Sequence, residues 1–449
     1  MSRLYSLEFI PRHVSAVSFS LMTIQLDRLP FAYALPTRSL FTRDFVLVCA
    51  ATFCFFFCHH LLTPVFTAYL EQHHWHGQVL GAMLAALMVA SLVTRPFVGK
   101  QADEWDKRRL LIGGALLVML CPVLYTVSAH PAVMLPIRLV HGIGFAMFYV
   151  AASSYLADLV PQAHRGEGIS YFSNAMKLAT AISPALGVLL LNGHWMQPVF
   201  WLASAMAFVA LLLVLQLRPV QPPLPSSDSA LPAARNKGRL FNRPAFYPGL
   251  IMATNSMVFG VLMPFMPLIA GEKQLSAIFL FYPVYALSLM LSRGATGPLS
   301  DRYGRVSVIV PGMTLVIVSL WGLAAANHPV WFLGFSALYG FGAGTVQPSL
   351  IAMAVDRSRE DERGSAMATF TMCNDTGIAL GMYAMGAVGA QVGYSEALGL
   401  TSLVVLAGWL VFVWRERQGV LAWAKAMLST GTVCSASQCP DSNKGGIKQ

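Results

Sequence analysis

The chain has 449 residues, of which 56% are hydrophobic and only 11% are charged, whereas a soluble domain carries about a quarter charged residues. Several stretches contain no Asp, Glu, Lys or Arg over about 20 residues, enough for a helix to cross a hydrocarbon core about 30 Å thick. This pattern excludes an ordinary cytosolic enzyme, a secreted disulfide scaffold and an outer-membrane barrel, and it predicts an all-α polytopic membrane protein. We expect the net charge of +10 to reflect membrane topology and not nucleic-acid binding.

The first 44 residues precede any stretch that is long enough to span a bilayer. Their apolar run, 14–26, is too short for a transmembrane helix. We expect residues 1–44 to form an N-terminal cytoplasmic extension, either disordered or interfacial. A translation start at Met22 and an organelle transit segment are the alternatives.

Breaks at charged residues, glycine and proline divide the rest of the chain into twelve predicted transmembrane helices. The first six form an N-terminal bundle over 45–217, and the last six a C-terminal bundle over 246–414. Between the bundles, 218–245 is rich in proline and serine and is expected to be a cytoplasmic linker; 415–449 is expected to be a cytoplasmic tail. The predicted spans are 45–70, 79–98, 110–128, 132–156, 169–191, 198–217, 246–270, 275–296, 306–326, 330–354, 365–390 and 396–414.

The distribution of basic residues sets the orientation of the chain. If both termini are cytoplasmic, Lys273 is the only Lys or Arg outside the spans that falls on the external side. The external loops are then short and nearly uncharged. This asymmetry follows the positive-inside rule and predicts a multi-pass protein of the inner (plasma) membrane with both termini in the cytoplasm.

An internal repeat relates the two halves at an offset of 198 residues. Six spans separate the copies, and an even number of crossings returns both copies to the same face of the membrane. The halves are therefore predicted to be parallel repeats, an arrangement typical of secondary transporters. The matched pairs are Arg95 and Arg293, Gly99 and Gly297, Asp103 and Asp301, Lys107 and Arg305, Gly142 and Gly340, Gly144 and Gly342, Asp158 and Asp356, Arg165 and Arg363, and Gly166 and Gly364.

The loops after the second and eighth spans share one motif, a glycine, an aspartate four residues later and a basic cluster. The paired motif resembles the loop signature of the major facilitator superfamily, although the first copy has Glu104 where the family has Arg and Asp106 where it has Gly. Segment 138–144 is similar to the family's fourth-helix signature, and 183–187 is partly similar to the fifth-helix signature of its drug–proton antiporters. The motif residues are Gly99, Asp103, Lys107 and Arg108 in the first loop and Gly297, Asp301, Arg302, Gly304 and Arg305 in the second.

The resemblance implies two six-helix bundles that rock about a central cavity lined by the first, fourth, seventh and tenth spans, with the two loop motifs acting as a gate. The loop residues suit that role: Gly99 and Gly297 allow close helix approach, and Asp103 can accept hydrogen bonds from a neighbouring helix N-terminus. Such a contact exists in only one arrangement of the halves. The alternative is that the basic residues of 107–109 only hold the loop in the cytoplasm.

Two charged residues are predicted near mid-depth in the membrane, where each charge costs about 2.5–3.5 kcal/mol or more. Lys177 in the fifth span and Asp375 in the eleventh are equivalent under the repeat. One hypothesis is that Asp375 binds and releases a proton while Lys177 contacts an anionic substrate or biases the potential of the cavity. The alternative is that both residues only bond to neighbouring helices.

Four further residues within the predicted spans have a predicted role or location. The resemblance suggests Arg138 for proton coupling, but a structural arginine that satisfies backbone carbonyl groups is an open alternative. His141 lies on the same helix face and is either a proton relay or a packing residue. Arg95 and Arg293 lie one turn from the cytoplasmic loops, and we expect their side chains to reach the membrane surface.

Histidine and cysteine patterns give little support for a metal site. His59 and His60 point to different sides of the first span, so at most one is expected to face the cavity. His73, His74 and His76 crowd an external loop, but only Glu71 accompanies them. No metal or cofactor is therefore expected, and the seven cysteines are expected to pack as small apolar side chains.

These observations favour a secondary active transporter that works by alternating access. The leading hypothesis is proton-coupled export of a small organic solute, with protons and membrane lipid as the other partners and a monomeric chain. A nutrient importer or facilitator for a sugar or carboxylate is the main alternative, and a non-transporting receptor is another. Primary ATP-driven pumping is not expected because no phosphate-binding loop motif is present, and an enzyme is not expected because no nucleophile–base pair is recognisable.

Overall fold

A computed structural model describes residues 40–161, 164–193, 196–219, 242–275, 278–359 and 362–421, and these contain helices and no strand. The predicted N-terminal extension, linker and tail lie largely outside the described residues. A short 3-10 turn, Ile278–Leu280, precedes the eighth long helix. The long helices are α1 Arg43–Gln72, α2 Gly77–Glu104, α3 Lys107–Tyr125, α4 Pro131–Leu159, α5 Arg165–Asn192, α6 Met196–Leu215, α7 Arg243–Glu272, α8 Phe281–Tyr303, α9 Val306–Ala325, α10 Pro329–Asp356, α11 Arg363–Val392 and α12 Tyr394–Arg415.

Each predicted span falls on one of these twelve helices, so the prediction of a twelve-helix membrane protein is confirmed. Nine of the helices are, over their described residues, long and apolar enough to cross a bilayer, and the described apolar part of α8 with the turn before it is shorter, Ile278–Gly294. The largest differences in the position of the C-terminal end are at α2 and α8, which continue beyond the predicted ends at 98 and 296. These two helices carry the loop motifs as extra helical turns.

The packing of the helices repeats in the two halves. In the first half α1 packs on α5 and α6, α2 packs on α4, and α3 packs on α4 and α6. In the second half α7 packs on α11 and α12, α8 packs on α10, and α9 packs on α10 and α12. Each contact has its counterpart six helices later, which confirms two parallel-repeat six-helix bundles.

Matched glycines make the repeated helix contacts possible. Gly142 of α4 lies directly against the backbone carbonyl of Leu87 in α2, and Gly340 of α10 lies against that of Tyr285 in α8. Both partners are again 198 residues apart. A side chain at either glycine would meet backbone and not a movable side chain, so glycine is required for these close approaches.

The halves meet along two equivalent seams, which we call the first seam (α2 with α11) and the second seam (α5 with α8); α1 also contacts α7. We call the end of the bundle with the 73–76, 126–130 and 326–328 loops the short-loop end and the opposite end the basic-loop end. Gly81 and Gly386 bring the first seam together at the short-loop end, where a Cβ on Gly386 would lie 2.5 Å from the backbone nitrogen of Gly81. The first seam is therefore sealed at that end.

Candidate functional site

A cavity of about 400 Å³ lies between the two bundles, within the range of small-molecule sites. Eight helices contribute most of its lining, namely α1, α2, α4, α5, α7, α8, α10 and α11. These include the first, fourth, seventh and tenth helices that the resemblance implied. The charged lining residues, however, come from the other four.

The lining of the cavity comes closer to the basic-loop end along α11 than to the short-loop end along α7. Met367 lines it four residues after α11 begins, which corresponds to about 6 Å along the helix axis. At the other end, lining residue Met263 lies nine residues before α7 ends, about 14 Å along its axis. Tyr285, four residues after α8 begins, also lines the cavity near the short-loop end, so the closed side is assigned from the glycine contact of the first seam alone.

Arg95 and Arg293 line this cavity, so the expectation that their side chains reach the membrane surface is wrong. The physical reason is that α2 and α8 continue for about two turns beyond the predicted span ends, which leaves these arginines inside the bundle. Lys177 and Asp375 also line the cavity, and their position near mid-depth in the membrane stays a prediction.

Asp375 and Arg95 form an ion pair across the first seam, between α11 and α2. The Arg95 guanidinium also lies over the Tyr149 ring, 5.2 Å from its centroid. On the other side of the carboxylate, Asn374 Nδ2 donates to Asp375 Oδ1 at 3.1 Å, and Ser256 Oγ donates to Asn374 Oδ1 at 2.8 Å. A polar chain therefore links α7, α11 and α2 across the cavity wall.

The cations of the second seam have weaker partners. Arg293 Nη2 donates to Gln347 Oε1 at 2.9 Å, a neutral amide oxygen. Within the described residues, the ammonium group of Lys177 has no hydrogen-bond or ion-pair partner. Asp375 is the only acidic residue among the described lining residues. The cavity thus holds three cationic side chains and one anionic side chain.

Arg138 and His141 lie behind the cavity wall, inside the N-terminal bundle. Arg138 is 6% exposed; its Nε donates to the Met83 carbonyl at 3.1 Å, and its guanidinium stacks over Phe66 at 4.2 Å. His141 is fully buried, with Nδ1 2.9 Å from the Tyr125 hydroxyl. These contacts tie α4 to α2 and α3. A role in proton coupling for either residue stays a prediction.

His59 and His60 both line the cavity, so the expectation that at most one faces it is wrong. A wide cavity admits side chains that are about 100° apart on one helix. The rings of His59 and His141 also meet edge to face, with centroids 6.1 Å apart. His59 therefore lies between the cavity and the buried polar cluster around Arg138.

The basic-loop motifs brace each half separately. Lys107 Nζ lies 2.5 Å from Asp158 Oδ2, and Arg305 Nε lies 3.2 Å from Asp356 Oδ2. The two pairs are equivalent under the repeat. The first pair joins the start of α3 to the end of α4, and the second joins the start of α9 to the end of α10. All four residues are matched positions of the sequence repeat, but the repeat alone does not indicate that they pair.

Other motif residues have local roles. Arg108 Nη2 donates to the Leu215 carbonyl at 2.6 Å, and the Arg302 guanidinium lies 5.3 Å from the Tyr303 ring centroid. Gly304 has a φ of 86°, a conformation that favours glycine. The side chains of Asp103 and Asp301, and the surroundings of Gly297, lie outside the described residues, so the gate stays a prediction.

In this arrangement of the halves an added Cβ on Gly99 would meet nothing within 4 Å, so the close helix contact expected there stays a prediction. Metal binding finds no support in the described part of the chain, where no group of three or more His, Cys, Asp and Glu side chains is placed to hold an ion. That statement includes His73, His74 and His76 in the loop between α1 and α2.

Relatives with curated names are similar over much of the chain. The Multi-drug resistance efflux pump PmrA homolog of Lactococcus lactis is 24% identical over 325 residues, 71% of this chain and 80% of that protein. The Staphylopine export protein of Staphylococcus aureus is 22% identical over 347 residues, 75% and 85% of the two chains. Multidrug resistance protein 2 of Bacillus subtilis is 26% identical over 166 residues, so the chain spans only 41% of that relative's length.

Solved structures share the fold at low identity. The nucleoside transporter NupG superposes with a TM-score of 0.67 at 14% identity, and the human organic anion transporter MFSD10 with a TM-score of 0.59 at 17% identity; each match covers 82% of this chain and 98% of the other. The family model for the Major Facilitator Superfamily matches residues 48–296 and 249–426. The chain therefore belongs to the Major Facilitator Superfamily and is a multi-pass membrane transporter.

Proposed function

We propose that this transporter exports a small organic solute in exchange for protons, by alternating access of its two bundles. The observation that carries the proposal is the Asp375–Arg95 ion pair, which spans the first seam inside the cavity. The relatives named for multidrug efflux and for staphylopine export support outward transport. The basic-loop end is the cytoplasmic end in this proposal, because the positive-inside rule assigns the basic loops to the cytoplasm.

Protonation of Asp375 is the coupling step. The neutral carboxyl group no longer attracts the Arg95 guanidinium, and the loss of one partner of a buried ion pair costs about 3–5 kcal/mol. That energy is comparable with the roughly 5.5 kcal/mol needed to move a two-state equilibrium from 1:99 to 99:1. Binding and release of one proton at the first seam can therefore shift the balance between the two arrangements of the halves.

The cavity also supports a second candidate, import of an organic anion together with protons. Its three cations against one carboxylate favour an anionic solute, and a proton on Asp375 makes the cavity more positive, so that proton and anion assist each other's binding. Exchange requires instead that the proton and the solute weaken each other's binding. The two candidates differ in the sign of the coupling between solute and proton movement.

Proton flux in proteoliposomes separates the candidates. Vesicles that contain a trapped pH-sensitive dye are exposed to 2-naphthoate (an organic anion), ethidium (an organic cation) and a neutral sugar. Exchange moves protons against the solute, whereas cotransport moves both in the same direction. Asp375→Asn should stop the proton movement while solute equilibration continues, and Glu167→Gln, which removes an exposed carboxylate near the start of α5, should behave as wild type. Proton movement that persists in Asp375→Asn would refute the assigned coupling site.

A further inference from the structure

The two seams are equivalent in sequence but opposite in charge pattern. Arg95 and Arg293 occupy matched positions, and so do Asp375 and Lys177. The first seam therefore brings an arginine to an aspartate, which pair. The second seam presents an arginine and a lysine to the same cavity. The repeat has kept the cation on one helix of each seam and replaced the carboxylate by an ammonium group on the other.

This substitution leaves two partly buried cations in the cavity wall without a counter-charge among the described lining residues. Arg293 has a neutral amide oxygen as its hydrogen-bond partner, and Asp375 is already engaged by Arg95. Buried cations without a counter-charge are costly, and the cost falls when an anion supplies the missing charge. Within the described lining residues, no second carboxylate is present to do so. α5 and α8 also pack less extensively than α2 and α11.

We infer that the anionic group of the transported solute binds in the second seam, between Lys177 and Arg293, where it takes the position that Asp375 has in the first seam. The inference rests on the proposed transport function, and of its two candidates it fits cotransport, because a proton on Asp375 would strengthen the binding of an anion. A guanidinium fork suits a carboxylate, sulfonate or phosphate group. An anion held by both α5 and α8 would draw the second seam together as the ion pair does for the first.

The rest of the lining indicates the body of the solute. Tyr285 and Tyr339 stack at 5.1 Å beside the second seam, and methionines such as Met176 and Met252 supply adaptable apolar contact. A volume of about 400 Å³ suits a compact molecule. The class of substrate is therefore an organic anion with an aromatic or apolar body.

Binding to the purified transporter in nanodiscs tests the inference without any gradient. The probes are 2-naphthoate and its neutral analogue 2-naphthamide, and the readout is the dissociation constant from ligand-dependent thermal shifts. Wild type should prefer the carboxylate by about tenfold or more, since hydrogen bonds to charged groups are the stronger ones. Lys177→Gln and Arg293→Gln should each lose the preference, while Arg109→Gln, which removes an exposed arginine of α3, should keep it. Equal binding of the two probes to wild type, or a preference that survives in both variants, overturns the inference.

Lys177→Asp is the decisive variant because it restores the charge pattern of the first seam. It should raise the melting temperature of the ligand-free protein and at the same time abolish the preference for 2-naphthoate. If Lys177 had only a structural role, Lys177→Asp would lower the melting temperature instead, and that result would count against the inference.

If a Gln variant does not fold, Lys177→Arg and Arg293→Lys keep the charge and should retain the preference for 2-naphthoate. Loss of the preference in both variants refutes the inference. None of these measurements depends on proton coupling, so failure here and failure of the proposed function are separable.

Discussion

The glycine seal of the first seam can be opened by a single methyl group. A Cβ on Gly81 would lie 2.6 Å from the backbone carbonyl oxygen of Tyr383 and 3.1 Å from that of Met382. Ordinary contacts begin at about 3.4 Å, and the obstacle is backbone, so α2 and α11 must separate by about 0.8 Å at this point. Gly81→Ala is therefore expected to destabilise the closed short-loop end.

The size of the effect follows from the cost of overpacking. Extra methyl groups in a close-packed interface cost about 1–3 kcal/mol, which changes the ratio of two conformations by roughly 5- to 150-fold. The same substitution also gains up to about 1 kcal/mol of helix propensity. Gly334→Ala in α10 is the matched control, since its Cβ would meet nothing within 4 Å and it makes the same propensity gain.

Spin-label distances across the short-loop end measure the shift. Val127 and Val330 are highly exposed, lie at this end and belong to different halves, so Val127→Cys and Val330→Cys in a cysteine-free background provide one label on each bundle. Gly81→Ala should move the distance distribution toward longer separations, and Gly334→Ala should leave it unchanged. An unchanged distribution in Gly81→Ala, in folded protein, would refute the claim that the Gly81 contact seals the cavity.

Three further experiments test other contacts. Lys107→Met should lower the unfolding free energy by about 1–3 kcal/mol and Arg305→Met by less than about 1, because the first pair is the more buried; equal melting temperatures would contradict this. Glu272→Ala should cost about 1 kcal/mol and speed amide exchange at the start of α12, since both Glu272 carboxylate oxygens accept backbone N–H bonds from Tyr394 and Ser395. Arg95→Gln with Asp375→Asn should melt above either single variant, because each single change strands one buried charge; additive losses would argue against a coupled pair.

The sequence supported the fold well because its signals are local. Hydropathy places twelve helices, and basic loops place their ends. The mid-depth charges at Lys177 and Asp375 were recognisable because a charge inside a long apolar segment is costly wherever the helix packs. The repeat at a fixed offset then implied two equivalent bundles without any knowledge of side-chain contacts.

The partners of the charged residues were not predictable in the same way. Distance along a helix gives depth but not which face meets which neighbour, so Arg95 was expected at the membrane surface although it pairs with Asp375 across the first seam. The contact between α2 and α11 joins segments almost 300 residues apart in sequence, and neither periodicity nor a motif reports it. The two intra-half pairs, Lys107 with Asp158 and Arg305 with Asp356, were present in the repeat, but they become contacts only when α3 and α4 are placed side by side.

The charge difference between the seams also decides how protons and solute affect each other. Protonation of Asp375 removes the only described carboxylate of the cavity and frees Arg95, so an anion near Lys177 and Arg293 gains affinity; by linkage, the anion favours the protonated form to the same extent. A solute of this class should therefore bind more tightly as the pH falls. The Asp375→Asn variant should bind it tightly at all pH values tested, with a much weaker pH dependence. The pH dependence that remains in this variant is assigned to His59 and His60 in the same lining. Cooperative binding of 2-naphthoate and protons would favour cotransport, because competition is what exchange requires. Weaker binding at low pH would refute this linkage, because a proton on Asp375 removes the competing carboxylate and frees Arg95, and both changes favour an anion in the same cavity.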